Sequence, residues 1–178
     1  MRRWIVTAAT PVVIACAGAA PALATEPLLA ATSACPDQAG DGVGSARQEA
    51  AMRCLVNFAR RAAGRPLLTP SRKLNRSARM KSRLIARCGT LTHAPCGRAW
   101  YSVFRTVGFS GRFRENVAAG GGGNATPRAV MAMWLQSPSH REALLAPDVT
   151  VFGTGVRLQA MVTGLRGSVW TLHVGRPA

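Results

Sequence analysis

Acidic residues are scarce in this chain of 178 residues, which has 7 aspartates and glutamates against 23 lysines and arginines. So few carboxylates leave little material for acid–base catalysis or for oxygen-rich metal sites. Any carboxylate that carries chemistry must be one of Glu26, Asp37, Asp41, Glu49, Glu115, Glu142 and Asp148. Histidine occurs only three times, so each histidine can be weighed singly.

Several motifs of known chemistry are also absent. The chain has no Gly-x-Ser-x-Gly nucleophile elbow and no His-Glu-x-x-His zinc motif. The glycine run 120–123 is not followed by Lys-Ser or Lys-Thr, which excludes a phosphate-binding loop. No Cys-x-x-Cys pair occurs, which favours disulfides over a zinc site for the cysteines.

The excess of arginine gives a formal charge of +16. Such a charge indicates a nucleic-acid or anionic-surface partner, unless it only reflects the codon bias of a GC-rich genome. Nucleic-acid binding is disfavoured because aromatic residues are not interleaved with the arginines, and Tyr101 is the only tyrosine. Anionic envelope polymers or lipid headgroups remain as partners.

The N-terminus has the pattern of a secretory signal peptide. A basic start is followed by an uncharged stretch over residues 4–24, which ends in Ala22-Leu23-Ala24. Pro11 and Pro21 disfavour a membrane-spanning helix, so we predict cleavage after residue 24 and no transmembrane segment in the mature protein, whose charge would be +14. The alternative is a lipoprotein signal with lipidation at Cys16.

Four cysteines remain after cleavage: Cys35, Cys54, Cys88 and Cys96. An even number in an exported chain predicts two disulfides, for which three pairings exist. Proximity in sequence favours the pairs Cys35–Cys54 and Cys88–Cys96. Each bridge would stabilise the fold by about 3 kcal/mol.

The helical periodicity of apolar residues predicts helices in the part of the domain that precedes residue 148. Residues 25–45 lack periodicity and are predicted to be a linker, followed by one domain over residues 46–178. A helix is expected from about residue 45 to 63, and Ser71 caps a second helix that places arginines opposite its apolar face. Thr126 and Pro127 begin a third helix, and a capping box at Ser139 begins a short one at about His140.

Strands follow after residue 148, at about 151–158 and 169–174. In the last strand Trp170 and His173 lie on opposite faces, and His173 is interpreted as an ordinary strand residue. Helices first and strands later predict an α+β fold or an α-β-α sandwich.

Three residues are candidates for a site. His93 lies in a loop beside Cys96, and His140 lies at a helix start, where the helix dipole favours the neutral ring. A neutral imidazole can bind a metal or act as a base. Glu115 could orient a histidine or act as a base near a metal. Taken singly, each has an ordinary structural explanation, such as pairing of Glu115 with Arg112 or Arg114.

The order of these motifs resembles the CAP superfamily of cysteine-rich secretory proteins, antigen 5 and plant pathogenesis-related 1 proteins, and in particular its small secreted bacterial members. The resemblance spans residues 47–176. The segments that carry it are Cys54-Leu55-Val56-Asn57-Phe58-Ala59-Arg60, Thr92-His93, Cys96-Gly97, Glu115-Asn116-Val117-Ala118, Trp134-Leu135-Gln136-Ser137-Pro138-Ser139-His140-Arg141, Gly153-Thr154-Gly155-Val156 and Trp170 to Gly175.

The resemblance implies an α-β-α sandwich whose cleft is lined by His93, Glu115 and His140. In some members of the family the two histidines hold zinc or another divalent metal. Two departures weaken the case for metal-assisted hydrolysis. Arg114 stands where glycine usually precedes the glutamate, which predicts a cation beside Glu115, and the second glutamate of many members has no counterpart.

We therefore expect an exported binding or interaction module, outside the cell or in its envelope, in preference to an enzyme. Its ligand would be a divalent metal or a small lipid-like or envelope molecule. The alternative is a metal-assisted hydrolase of peptides or envelope polymers, with Glu115 as general base. Adhesion to anionic surfaces is a third hypothesis.

Overall fold

The computed structural model describes residues 27–40 and 42–178, and the predicted signal peptide with Cys16 lies outside these residues. No helix in this part of the chain is long and apolar enough to cross a membrane. The helices are α1 (Ser45–Ala62), α2 (Arg72–Cys88), α3 (Ser102–Thr106), α4 (Pro127–Gln136) and α5 (Pro138–Leu145). The strands are β1 (Thr69–Pro70), β2 (Gly111–Gly120), β3 (Val151–Val162) and β4 (Leu165–Pro177).

The four strands form one sheet in the order β1-β3-β4-β2, so β2 is an edge strand. Trp170 of β4 packs with Met52 of α1 and Trp134 of α4 in the main hydrophobic core. On the other face, Thr171 of β4 bonds to Ser82 of α2. Helices therefore cover both faces, which confirms the predicted α-β-α sandwich.

Two glycines let α2 lie unusually close to the sheet. A Cβ atom on Gly153 would lie 2.1 Å from the backbone nitrogen of Asn75, and one on Gly155 would lie 2.3 Å from that of Arg79. Only a residue without a side chain fits between strand and helix at these positions. This close contact brings the inner face of α2 within reach of side chains on the sheet.

The segment predicted to be a linker is packed onto the domain over residues 27–40. Ala30, Cys35 and Gln38 are buried, and Cys35 is bonded to Cys54 of α1. Arg128 of α4 donates to the Gln38 side chain at 2.9 Å. The sequence gives no periodic signal for this packing, because a disulfide and isolated buried residues hold the segment in place in the absence of a helix or strand. The second predicted disulfide, Cys88–Cys96, is also confirmed.

The helix boundaries follow the predicted caps with one correction. Ser71 and Thr126 accept hydrogen bonds from the backbone of α2 and α4, as expected. The short helix α5 begins at Pro138 rather than at His140, with Ser137 as the capping residue in place of Ser139. Proline suits the first helical position because its φ angle is already helical. Strand β2 and helix α3 were not predicted.

Filling the contact between α2 and the sheet should destabilise the protein. Gly155→Ala is expected to lower the free energy of unfolding by about 3 kcal/mol, because the backbone of α2 must move away from β3. Urea denaturation measures this. Gly123→Ala is the control, because nothing lies within 4 Å of its added Cβ. Equal stability of the two variants would contradict the close contact.

Candidate functional site

A carboxylate on the edge strand is the centre of the site. Glu115 of β2 lies directly opposite His173 of β4, and His173 lies opposite Gly153 of β3. Paired residues of antiparallel strands point to the same face, here toward α2. The Nε2 atom of His173 lies 2.7 Å from Oε2 of Glu115. His173, which the sequence pattern presents as an ordinary strand residue, is therefore a direct partner of the candidate glutamate.

Helix α2 contributes two further side chains because Gly153 lets it approach. The Ser77 hydroxyl lies 2.7 Å from Nδ1 of His173. The Lys81 ammonium lies 3.1 Å from Oε2 of Glu115, and both side chains are 1% exposed. An ionised carboxylate only accepts hydrogen bonds, so His173 carries a proton on Nε2, while the Ser77 hydroxyl donates to the backbone oxygen of Leu74 at 3.0 Å.

The loop after α2 brings His93 to the same carboxylate. The Cys88–Cys96 disulfide closes this loop, and Lys81 donates to the backbone oxygens of His93 (2.5 Å) and Trp100 (2.8 Å). Nδ1 of His93 lies 2.8 Å from Oε1 of Glu115. The carboxylate accepts a hydrogen bond from this nitrogen, so Nε2 carries no proton whenever the ring is in its neutral form. The His93 side chain is 52% exposed, so this free nitrogen belongs to a group open to solvent.

These contacts fix the charge of Glu115. Burial by itself would raise its pKa, but the hydrogen bonds from His173 and His93 and the charges of His173 and Lys81 outweigh burial and hold the pKa at about 2. Burial lowers the pKa of Lys81, and the charge of Glu115 opposes that effect. Burial also lowers the pKa of His173, against the attraction of the same carboxylate. Glu115 is consequently ionised, and both of its oxygens accept hydrogen bonds from neighbouring side chains.

His140 reaches the site from the other side of β2. Neighbouring residues of a strand point to opposite faces, so Asn116 points away from the face that carries Glu115. Its Nδ2 atom donates to the backbone oxygen of His140 at 2.9 Å. Nδ1 of His140 pairs with the Ser137 hydroxyl at 2.9 Å. Burial lowers the pKa of His140, and the charge of His93 lowers it further. Both histidines thus flank the edge of β2, in what we call the His–Glu cleft (His93, Glu115 and His140).

Aromatic rings close the inner side of the site. Phe104 packs on His173 with ring centroids 4.3 Å apart and stacks on Phe113 at 4.0 Å. Phe113 lies two residues before Glu115 on the same face of β2, and Trp100 packs on it at 5.3 Å. Trp100 and Tyr101 are each 40% exposed. Phe104 is buried and Phe113 is partly buried, so these rings cover His173 from water, and the exposed pair forms an apolar surface on the loop that follows His93.

Arg114 does not supply the cation next to Glu115, contrary to the sequence-based expectation. Its side chain points to the opposite face of β2 and contacts Glu142 and Asp148, each at 3.3 Å. The alternation of side chains along the strand is the reason. The cation beside Glu115 is Lys81, whose position on the apolar stripe of α2, between Ala78 and Ile85, was the signal that could have revealed it.

The donor set does not fit a catalytic metal centre. Catalytic zinc takes three protein ligands, yet the described residues contain no group of three or more His, Cys, Asp or Glu side chains that could hold an ion. The oxygens of Glu115 are already bonded, and the Lys81 charge lies beside them. Only Nε2 of His93 and Nε2 of His140 are left as ligands, so an ion here would depend on water or ligand atoms for the rest of its shell.

The sequence profile of the cysteine-rich secretory protein (CAP) family matches residues 54–172. The chain belongs to this family. No curated protein is similar enough in sequence to match it. The CAP profile begins within α1 and ends within β4, and so contains every side chain of the His–Glu cleft.

Solved structures share this CAP fold at low sequence identity. An extracellular protein containing an SCP domain from Bacillus anthracis superposes with a TM-score of 0.59 and 21% identity, over 74% of this chain and 41% of that one. An outer surface protein from Borrelia burgdorferi has a TM-score of 0.59 and 22% identity, over 71% and 90% of the two chains. A cysteine-rich secretory protein from Staphylococcus aureus has a TM-score of 0.55 and 16% identity, over 75% of this chain and 40% of that one. The chain therefore spans about two fifths of the first and third proteins.

The buried ionised glutamate should make the CAP domain sensitive to acid. A carboxyl whose pKa is lower in the folded state stabilises the fold above its unfolded pKa, near 4.5, and loses that contribution as the pH falls toward about 2. The free energy of unfolding should therefore fall over this range. Glu115→Gln should flatten the fall and cost about 3 kcal/mol at pH 7, because Lys81 is left buried without its counter-ion.

Urea denaturation between pH 7 and pH 2 provides the measurement for both proteins. Glu142→Gln is the matched control, because the Glu142 side chain is 76% exposed and its loss should change the stability by less than about 0.5 kcal/mol. An unchanged pH dependence in Glu115→Gln would show that Glu115 is not the acid-sensitive group.

Proton NMR can test whether the two histidines share one cleft. The pKa of His140 should lie below 6.5 in the wild type and should rise in His93→Gln, which removes the neighbouring charge while burial remains. Arg61→Gln removes an exposed charge at the end of α1 and serves as the control. If both variants move the His140 titration equally, His93 does not face His140.

Proposed function

We propose that this protein is an exported CAP-domain binding module whose His–Glu cleft holds a small amphipathic ligand. The observation that carries the proposal is the complete engagement of Glu115 by Lys81, His93 and His173. A carboxylate with a pKa of about 2 and both oxygens bonded is a poor general base at neutral pH. The cleft thus presents groups suited to recognition more than to reaction.

The groups around the cleft match a molecule with one polar and one apolar part. His93 offers a free imidazole nitrogen as hydrogen-bond acceptor, and His140 lies across the edge of β2. Trp100 and Tyr101 are each 40% exposed, the backbone oxygen of Trp100 shares the Lys81 ammonium with that of His93, and the two rings can cover an apolar chain or ring. A lipid-like molecule with a protonated or hydroxyl head would use both features.

Export is supported by several observations. Two disulfides are formed within the described residues, and disulfides persist mainly in oxidising compartments. The basic, apolar and small-residue order of residues 1–24 has the pattern of a signal peptide. Two of the similar structures are named as an extracellular and an outer surface protein. A lipid anchor at Cys16 is the alternative route to the cell surface.

Metal-assisted hydrolysis is less well supported. It would need Glu115 as base and at least three protein ligands for the ion, and the contacts described above provide neither. Binding of a divalent ion to His93 and His140 without catalysis remains a prediction, which calorimetric titration with zinc of the wild type and of His93→Ala with His140→Ala would test.

1-Decanol is a suitable probe for the cleft because it combines an apolar chain with a hydroxyl head that can donate a hydrogen bond to His93. Its binding, followed by calorimetric titration, should be saturable. Trp100→Ala, and separately His93→Ala with His140→Ala, should weaken binding roughly tenfold, because each removes one half of the recognition surface.

Leu67→Ala is the control, since Leu67 is 46% exposed in the segment between α1 and β1, away from the cleft. Equal binding by all four proteins, or no binding by the wild type, would contradict an amphipathic ligand in this cleft. Native mass spectrometry of the protein purified from culture medium would then show whether another molecule occupies it.

A further inference from the structure

The outer face of α2 is entirely basic. Its exposed charged residues are Arg72, Lys73, Arg76, Arg79, Arg83 and Arg87, and the helix contains no acid. Like charges four residues apart destabilise a helix, so this arrangement has no benefit for folding. Arg79 is paired with Glu49, but no carboxylate of the described residues lies within 4.0 Å of Arg83 or Arg87.

The tip of the β3–β4 hairpin lies beside the C-terminal end of this helix. Thr163 and Gly164 form the turn, both with positive φ angles, and Thr163 donates from its backbone to the oxygen of Gly89 at 2.9 Å. Val162 packs with Ile85 of α2 in a small hydrophobic cluster. The tip is therefore held in a fixed position next to Arg87.

The same tip exposes large apolar side chains. Leu165 is 66% exposed and Met161 is 52% exposed, more than any other large hydrophobic residue that the structure describes. Met161 lines one hollow together with Arg83, Arg87 and Arg157. Arg166 lies opposite Met161 on one face of the hairpin, and Leu165 lies opposite Val162 on the other face, so the tip is exposed on both sides. We call the six residues around this tip the hairpin patch: Arg83, Arg87, Arg157, Met161, Leu165 and Arg166.

We propose that the hairpin patch docks the protein onto an anionic lipid membrane. Arginines are attracted to the negative potential at such a surface, and protruding apolar side chains can enter the region between headgroups and acyl chains. The patch combines both groups on one rigid tip. The proposal concerns a different part of the molecule from the His–Glu cleft and does not depend on the ligand of that cleft.

The composition of the patch favours a membrane over a nucleic acid. Single-stranded nucleic acids are bound by aromatic rings that stack on the bases, and the hairpin patch and helix α2 contain none. Apolar side chains that project from a tip, between cations, contribute little to binding a phosphate polymer. They would contribute directly to insertion below the headgroups.

Vesicle sedimentation tests the proposal. The wild type should bind vesicles of phosphatidylcholine with about 30% phosphatidylglycerol at least tenfold more tightly than vesicles of phosphatidylcholine alone, and raising the NaCl concentration from about 50 to about 500 mM should weaken this binding. Arg83→Gln with Arg87→Gln should weaken it at least tenfold. Leu165→Gln should weaken it about fivefold and remove the binding that persists at high salt.

Matched controls locate the effect. Arg61→Gln with Arg65→Gln removes two exposed arginines at the end of α1, and Leu67→Gln removes an exposed leucine. Both should bind within about twofold of the wild type. Equal losses in patch and control variants would show attraction by total charge and would overturn the proposal. Binding to single-stranded DNA but not to the anionic vesicles would overturn it in favour of a polymer.

Discussion

The buried ion pair between Lys81 and Glu115 links two of the three layers of this CAP domain, helix α2 and the sheet. The lysine comes from a helix that packs on one face of the sheet, and the glutamate comes from the edge strand. Removal of a single partner from such a pair leaves an uncompensated charge in the interior, which typically costs about 3 to 5 kcal/mol. Lys81 also binds the backbone of the His93 loop, so one ammonium sets both the charge of the cleft and its shape.

The close approach of α2 explains why this pair can form. Gly153 and Gly155 remove the side chains that would separate helix and strand, and Phe104 packs on His173, the other partner of Glu115. In a dry environment a charge is stable only when its hydrogen-bonding capacity is filled. The same contacts that stabilise Glu115 as an anion withdraw it from acid–base chemistry.

Sequence patterns predicted the parts of the fold that depend on local physics. Helix caps at Ser71 and Thr126, the stripe of apolar residues on α1 and the pairing of nearby cysteines are all local, and the resemblance of motifs added His93, Glu115 and His140. The role of His173 depends on the register of β2 with β4, which joins residues far apart in the chain. Strand β2 was missed because Phe113 is the one apolar residue among the charged and polar residues 112–116, so no apolar face is visible there, and Arg114 was consequently assigned to the wrong side.

Neighbouring residues of β2 have different tasks: Glu115 holds His93 on one face and Asn116 holds His140 on the other. Because side chains alternate along a strand, deletion of one residue upstream of Glu115 in β2 would turn Glu115 to the other face and bring Asn116 into its place. The carboxylate would then face α5, and an amide would face the Lys81 ammonium. This strand can therefore accept many substitutions during evolution but very few changes of length, and homologues that keep the cleft should differ in length only in the loops that flank β2.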